Sequence, residues 1–102
     1  MTKITIKRKK KSGEYIFEGH AKDASVCAGI STLFYTATGY AENNSNEIAY
    51  KSETYPAEGN ARLYMKAKPG GKRKLNTLMD FLDIGLLQIA ITEPDECEVI
   101  NK

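Results

Sequence analysis

Tyr15-Ile16-Phe17-Glu18-Gly19-His20-Ala21-Lys22-Asp23-Ala24-Ser25-Val26-Cys27-Ala28-Gly29-Ile30 decides the reading of this chain, because its period changes midway. Tyr15-Ile16-Phe17 reads as part of a strand that ends at Gly19. From Val26, the residues Val26, Ile30, Leu33, Ala37 and Tyr40 follow the i, i+4, i+7 spacing of one helical face. The junction holds the only histidine, His20, seven residues before Cys27, one of only two cysteines. A strand end and a helix start in that order can bring an imidazole up to a thiol in the first helical turn. Those are the two essential parts of a cysteine hydrolase.

Working outward, Thr2 to Lys10 sets Ile4 and Ile6 on one face against Lys3, Thr5, Lys7 and Lys9 on the other, the alternation of a half-buried strand. Ser12-Gly13 is a turn signal, and Glu14 to Gly19 returns as the second arm of a hairpin. Downstream, Gly39 and Asn43-Asn44-Ser45-Asn46 end the first helix. Glu47 to Ser52 and Asn60 to Lys68 are the next strands, joined through Tyr55-Pro56-Ala57-Glu58-Gly59. In the second of them Ala61, Leu63, Met65 and Ala67 share a face. Pro69-Gly70-Gly71 breaks the chain. Leu75, Leu78, Met79, Leu82, Leu86 and Ile89 then make the apolar stripe of a longer helix, limited by Pro94, and Cys97 to Ile100 is a weak last strand. The order ββαββαβ with hairpin-length connections predicts an α+β two-layer sandwich, a largely antiparallel sheet with two helices packed against it.

At 102 residues the chain forms one domain, 1–102, around a single core. No apolar run approaches the ~20 residues of a membrane-spanning helix, so no membrane partner is expected. Met1-Thr2-Lys3-Ile4-Thr5-Ile6 alternates polar and apolar rather than reading as a signal peptide. Two cysteines without a secretory signal read as reduced thiols, which places the protein in the cytoplasm. One histidine and two distant cysteines lack the ligand clusters of a zinc site, and Pro69-Gly70-Gly71-Lys72 lacks P-loop spacing, so no metal and no cofactor is expected.

Ser25 is a candidate cap of the first helix, which would make Cys27 its second residue. There free N–H groups and the positive end of the dipole favour a thiolate, the reactive form of a thiol. The amides of Cys27 or Ala28 are then available to a tetrahedral oxyanion. Ala28 and Gly29 leave room for a peptide, and Ser31, one turn after Cys27, lies on the same face. Asp23 has two available roles, orienting His20 or capping the helix. Against this stands the ordinary reading, since an unpaired cysteine at a helix start is more often core than catalyst. Cys97, with no histidine near it in sequence and acidic neighbours, reads as structural.

Gly19-His20-Ala21 followed by Val26-Cys27-Ala28-Gly29, Ser31 and Leu33 resembles the ribosomal-processing cysteine proteases, small bacterial enzymes that remove an N-terminal extension from a large-subunit ribosomal protein. The resemblance covers nearly the whole chain in length and element order. It implies a protein or peptide substrate, Cys27 as nucleophile, His20 as base, Gly19 and Ser31 at the site, and a homodimer. In the family the stretch between histidine and cysteine is usually longer and carries an aspartate three residues before the cysteine. Here it is short, and Asp23 stands four before Cys27. That loop gates substrate entry in the family, so the shortening bears on the substrate before the chemistry. A mobile-element member processing its own structural protein fits as well as a host enzyme.

The net charge is only +2, but six of the first eleven residues are basic and Lys66, Lys68, Lys72, Arg73 and Lys74 form a second cluster. Acid collects at Glu93, Asp95, Glu96 and Glu98. The alternative reading is therefore a nucleic-acid- or ribosome-binding module using the tracts 7–11 and 66–74, with Tyr15 and Tyr64 as stacking rings.

Overall fold

Alternating burial, the pattern expected of strands covered on one side, marks residues 12–18 and 60–67 of the computed structural model, which describes residues 1–102. The elements are β1 (Thr2–Arg8), β2 (Ser12–Glu18), α1 (Ala24–Asn43), β3 (Ile48–Tyr55), a 3-10 turn (Pro56–Glu58), β4 (Asn60–Ala67), α2 (Lys72–Thr92) and β5 (Cys97–Asn101). Their order is the ββαββαβ expected from periodicity. The strands lie in the order β3-β4-β2-β1-β5. All pairs are antiparallel except β1 with β5. Each helix is thus the crossover of a parallel pair with other strands between: α1 carries β2 to β3 past β4, and α2 carries β4 to β5 past β2 and β1.

Both helices cover one face of the sheet. Ile4, Ile6, Tyr15, Leu63 and Met65 meet Leu75, Met79 and Leu86 there, all fully buried or nearly so. Phe17 and Phe34 pack edge to face with ring centroids 5.5 Å apart. The helices come close at Gly85, where a Cβ would stand 2.8 Å from Leu33 Cδ2. Arg8 ties the end of β1 to α2, donating to Asp80 at 2.9 Å, Asp83 at 2.8 Å and Asn76 at 3.2 Å. The buried Tyr15 hydroxyl donates to Asp83 as well. Burial first, and then that carboxylate, push the tyrosine's ionisation far above its usual range.

Several boundaries differ from the sequence expectation, each for a physical reason. The hairpin turns at Lys9–Lys11, not at Ser12-Gly13, because Gly13 is needed inside β2, where any Cβ would strike Met79 Sδ. α1 begins at Ala24 and runs through Gly39 to Asn43. Burial of Ala37 and Ala41 on either side holds the glycine in the helix. The buried face of α1 is Val26, Ile30, Phe34, Ala37 and Ala41; Leu33 is half-buried and Tyr40 exposed. β3 extends to Tyr55, where the 3-10 turn starts. α2 is long and apolar enough by length and composition to cross a membrane, with a mean hydropathy of 1.3 over 18 residues. Asp80 and Asp83 break that run in the sequence, and the stripe from Leu75 to Leu86 packs on the sheet. The other side of α2 leaves Phe81, Ile84, Leu87 and Ile91 exposed.

Leu86→Ala, at a fully buried position, is expected to cost about 2–5 kcal/mol in urea unfolding. Gln88→Ala, two residues on and exposed, is expected to stay within about 0.5 kcal/mol. Equal effects would put the helix face in error.

Candidate active site

The chain leaves β2 at Glu18 and must enter α1 at Ala24. Gly19 makes the first bend at φ +89°, a left-handed conformation that L side chains rarely adopt. A Cβ there would also run into the Met1 carbonyl. The amino group of Met1 donates to the His20 carbonyl at 2.8 Å, fixing the backbone that presents the imidazole. Two amides of the junction, Lys22 and Asp23, then donate to one carboxylate, Glu96, at 2.8 and 3.1 Å. Glu96 lies in the turn before β5, so the segment leading into β5 clamps the junction.

Asp23 is the cap of α1. Its carboxylate accepts from Ser25 N–H at 2.9 Å and from Ser25 Oγ at 2.7 Å. Those hydrogen bonds hold it below the usual carboxylate range. This corrects the expectation that Ser25 caps, and it settles Asp23's alternatives in favour of capping. Cys27 is consequently the fourth helical residue, not the second, and its N–H already donates to the Asp23 carbonyl at 3.3 Å. The Cys27 amide is therefore not a free oxyanion donor. Gly29 is corrected too: it faces α2, with the site of a Cβ 3.4 Å from Ile89 Cδ1. Ala28 is exposed and outside the cleft.

The cleft itself, about 280 Å³, is lined by Gly19, His20, Cys27 and Ser31 together. Four of the six positions singled out from sequence thus converge. Phe17, Ile30 and Phe34 form its apolar floor, Tyr35 one rim, and Thr54, Pro56, Gly59, Asn60 and Ala61 the wall opposite α1. His20 is exposed and Cys27 half-buried. The thiol donates to the Ala21 carbonyl at 3.5 Å rather than to the imidazole. Catalytic hydrogen bonds commonly tighten only when substrate is present. Cys97, by contrast, is buried, and burial pushes its thiol ionisation up.

Sequence reasoning missed two contributors. Glu96 was one of four clustered acids, and nothing in its local sequence marked it as the clamp. Gly59 was read as part of a connector. It has φ +70° and packs against His20 so closely that a Cβ would stand 2.7 Å from imidazole Cδ2 and Nε2. Its signal was its place, at the end of Tyr55-Pro56-Ala57-Glu58-Gly59, where the turn closes in left-handed geometry.

The sequence profile of a family described as cysteine protease Prp matches residues 1–98. No curated protein matches the chain. Among solved structures, the ribosomal processing protease Prp of S. aureus with a covalently linked product peptide aligns with a TM-score of 0.80 at 17% identity, covering 100% of both chains. The same protease with a substrate peptide gives 0.79 at 15% identity, again over 100% of both. A protein from Streptococcus mutans gives 0.71 at 19% identity, covering 100% of this chain and 96% of that one. These likenesses establish the shared fold.

Gly59→Ala is expected to displace the imidazole and shift the His20 ring proton resonances. Gly39→Ala, with nothing within 4 Å of its Cβ site, is expected to leave them in place while stabilising α1 by up to about 1 kcal/mol. Unmoved His20 resonances in the first variant would refute the contact.

Proposed function

This chain belongs to the cysteine protease Prp family, and we propose that it is an endopeptidase in which Cys27 is the nucleophile and His20 the general acid and base. The observation that carries this reading is the pair's common cleft in a chain matched by the family profile over residues 1–98. The Cys27 Sγ attacks the scissile carbonyl carbon as His20 holds the thiol's proton. His20 then passes that proton to the departing amine, leaving a thioester on Cys27. Water attacks the thioester with His20 taking its proton, and the carboxylate product leaves as the thiol is restored. With the Cys27 amide engaged, oxyanion donation falls to side chains of the cleft walls, the Ser31 hydroxyl and the Asn60 amide.

The proposed substrate is the N-terminal extension of a ribosomal protein, or of a phage or mobile-element structural protein. Two features support it. Glu18, Asp23, Glu53, Glu58 and Glu96 lie at the cleft end of the molecule, beside Lys3 and Lys22, and offer carboxylates to a basic peptide. The apolar floor of Phe17, Ile30 and Phe34 suits a large apolar side chain at the scissile bond. The short junction tied to Glu96 stands where longer-looped family members have a gate. We place the enzyme in the cytoplasm as a homodimer joined through Phe81, Ile84, Leu87 and Ile91, an exposed apolar face that a second copy would cover.

Cys27→Ala and His20→Ala are each expected to reduce cleavage of a basic reporter peptide by at least about 10³-fold with the circular dichroism spectrum unchanged. Residual activity within tenfold of wild type in either would overturn the assignment. In sedimentation, Ile84→Asp is expected to convert a dimer to a monomer; a monomeric wild type would refute the interface.

A further inference from the structure

We propose that the helix-free face of the sheet, at the end away from the cleft, binds the backbone of single-stranded nucleic acid, with Tyr64 stacking on a base. The two basic tracts, more than fifty residues apart in sequence, are joined in the fold: Ser12 pairs with Lys66, and Ala67 N–H donates to the Lys11 carbonyl at 2.8 Å. Register then places Lys7, Glu14, Tyr64 and Lys51 in one row across β1, β2, β4 and β3, with Lys66 two residues along from Tyr64 on the same face. The ring is 40% exposed. The row's one carboxylate, Glu14, is neutralised by Arg62 at 3.4 Å.

Lys7, Lys51 and Lys66, and the hairpin tip Lys9–Lys11, are exposed and none is ion-paired. Besides Arg62, the cations of this end that have carboxylate partners are Arg8 and Lys74, held by α2 and Glu47. An aromatic ring among unpaired lysines on an open sheet is the combination that single strands use, a π-face for a base and cations for its phosphates. Tyr15, the other aromatic near the basic tracts in sequence, is excluded because it lies wholly in the core. The surface stands at the opposite end of β2 from His20, so both sites can be occupied at once.

The test is fluorescence anisotropy with a labelled single-stranded RNA of about 20 nucleotides, starting near 50 mM salt. Binding is expected, with log K falling against log salt at a slope of about −3 to −4, as for roughly five phosphate contacts. Lys9→Ala/Lys10→Ala/Lys11→Ala combined with Lys66→Ala is expected to weaken it at least tenfold. Tyr64→Ala is expected to weaken it about fivefold or more and Tyr64→Phe to restore it. Peptide cleavage is expected to stay at the wild-type level in all of them. No binding at low salt, or variants that bind like wild type, would overturn the proposal. So would equal binding to phosphatidylserine vesicles with no response to Tyr64→Ala, which would assign the surface to a membrane.

Discussion

The site depends on one carboxylate. Between Gly19 and Ala24 the chain must turn from a strand in the sheet into a helix above it, in too few residues to satisfy its own amides. Glu96 accepts two of them, from Lys22 and Asp23, and Asp23 in turn caps α1 through Ser25. That sequence of bonds sets both where His20 leaves the sheet and where the helix carrying Cys27 begins. It also couples the site to the topology, because Glu96 can reach the junction only if β5 pairs parallel to β1. The pairing of Thr2 with Cys97 places the turn before β5 beside it.

The same topology separates charge. Strand ends and helix ends alternate between the two ends of the sheet. The acids of the β2 end, the 3-10 turn and the turn before β5 gather round the cleft. The lysines of the β1–β2 tip and the β4–α2 connection gather at the other end. A modest net charge of +2 therefore conceals an uneven distribution, with five carboxylates near the cleft and the unpaired lysines at the other end. The carboxylates suit a basic peptide and the lysines a polyanion, as a protease working on ribosomal or structural proteins would meet.

Much of this was legible in the sequence because burial leaves a period. The alternation of Ile4 and Ile6, the stripe from Leu75 to Leu86 and the change of period after Gly19 all report which side chains face the core, and the element order follows from them. The meeting of His20 and Cys27 followed from a strand end and a helix start in the right order, Ser31 from its place one turn after Cys27, and Gly19 from the family resemblance alone. What periodicity does not encode is polar partnership. Asp23 and Ser25 are both good caps two residues apart, and only the fold shows the first accepting from the second. The buried face of α1 takes Phe34 and Ala41 rather than Leu33 and Tyr40, because both sets fit a period of about 3.6 and only the fold, which sets Phe34 against Phe17, separates them. Glu96 and Gly59 act on residues 73 and 39 positions away, beyond any local pattern.

Covalent capture tests the central claim that Cys27 and His20 act as one unit. The protein would be incubated with a basic peptide ending in a chloromethyl ketone and the adduct located by peptide mapping. The account predicts a thioether on Cys27 alone, formed at a rate that collapses in His20→Ala, with Cys97 unmodified. An adduct that forms equally fast without His20, or one that falls on Cys97, would contradict it.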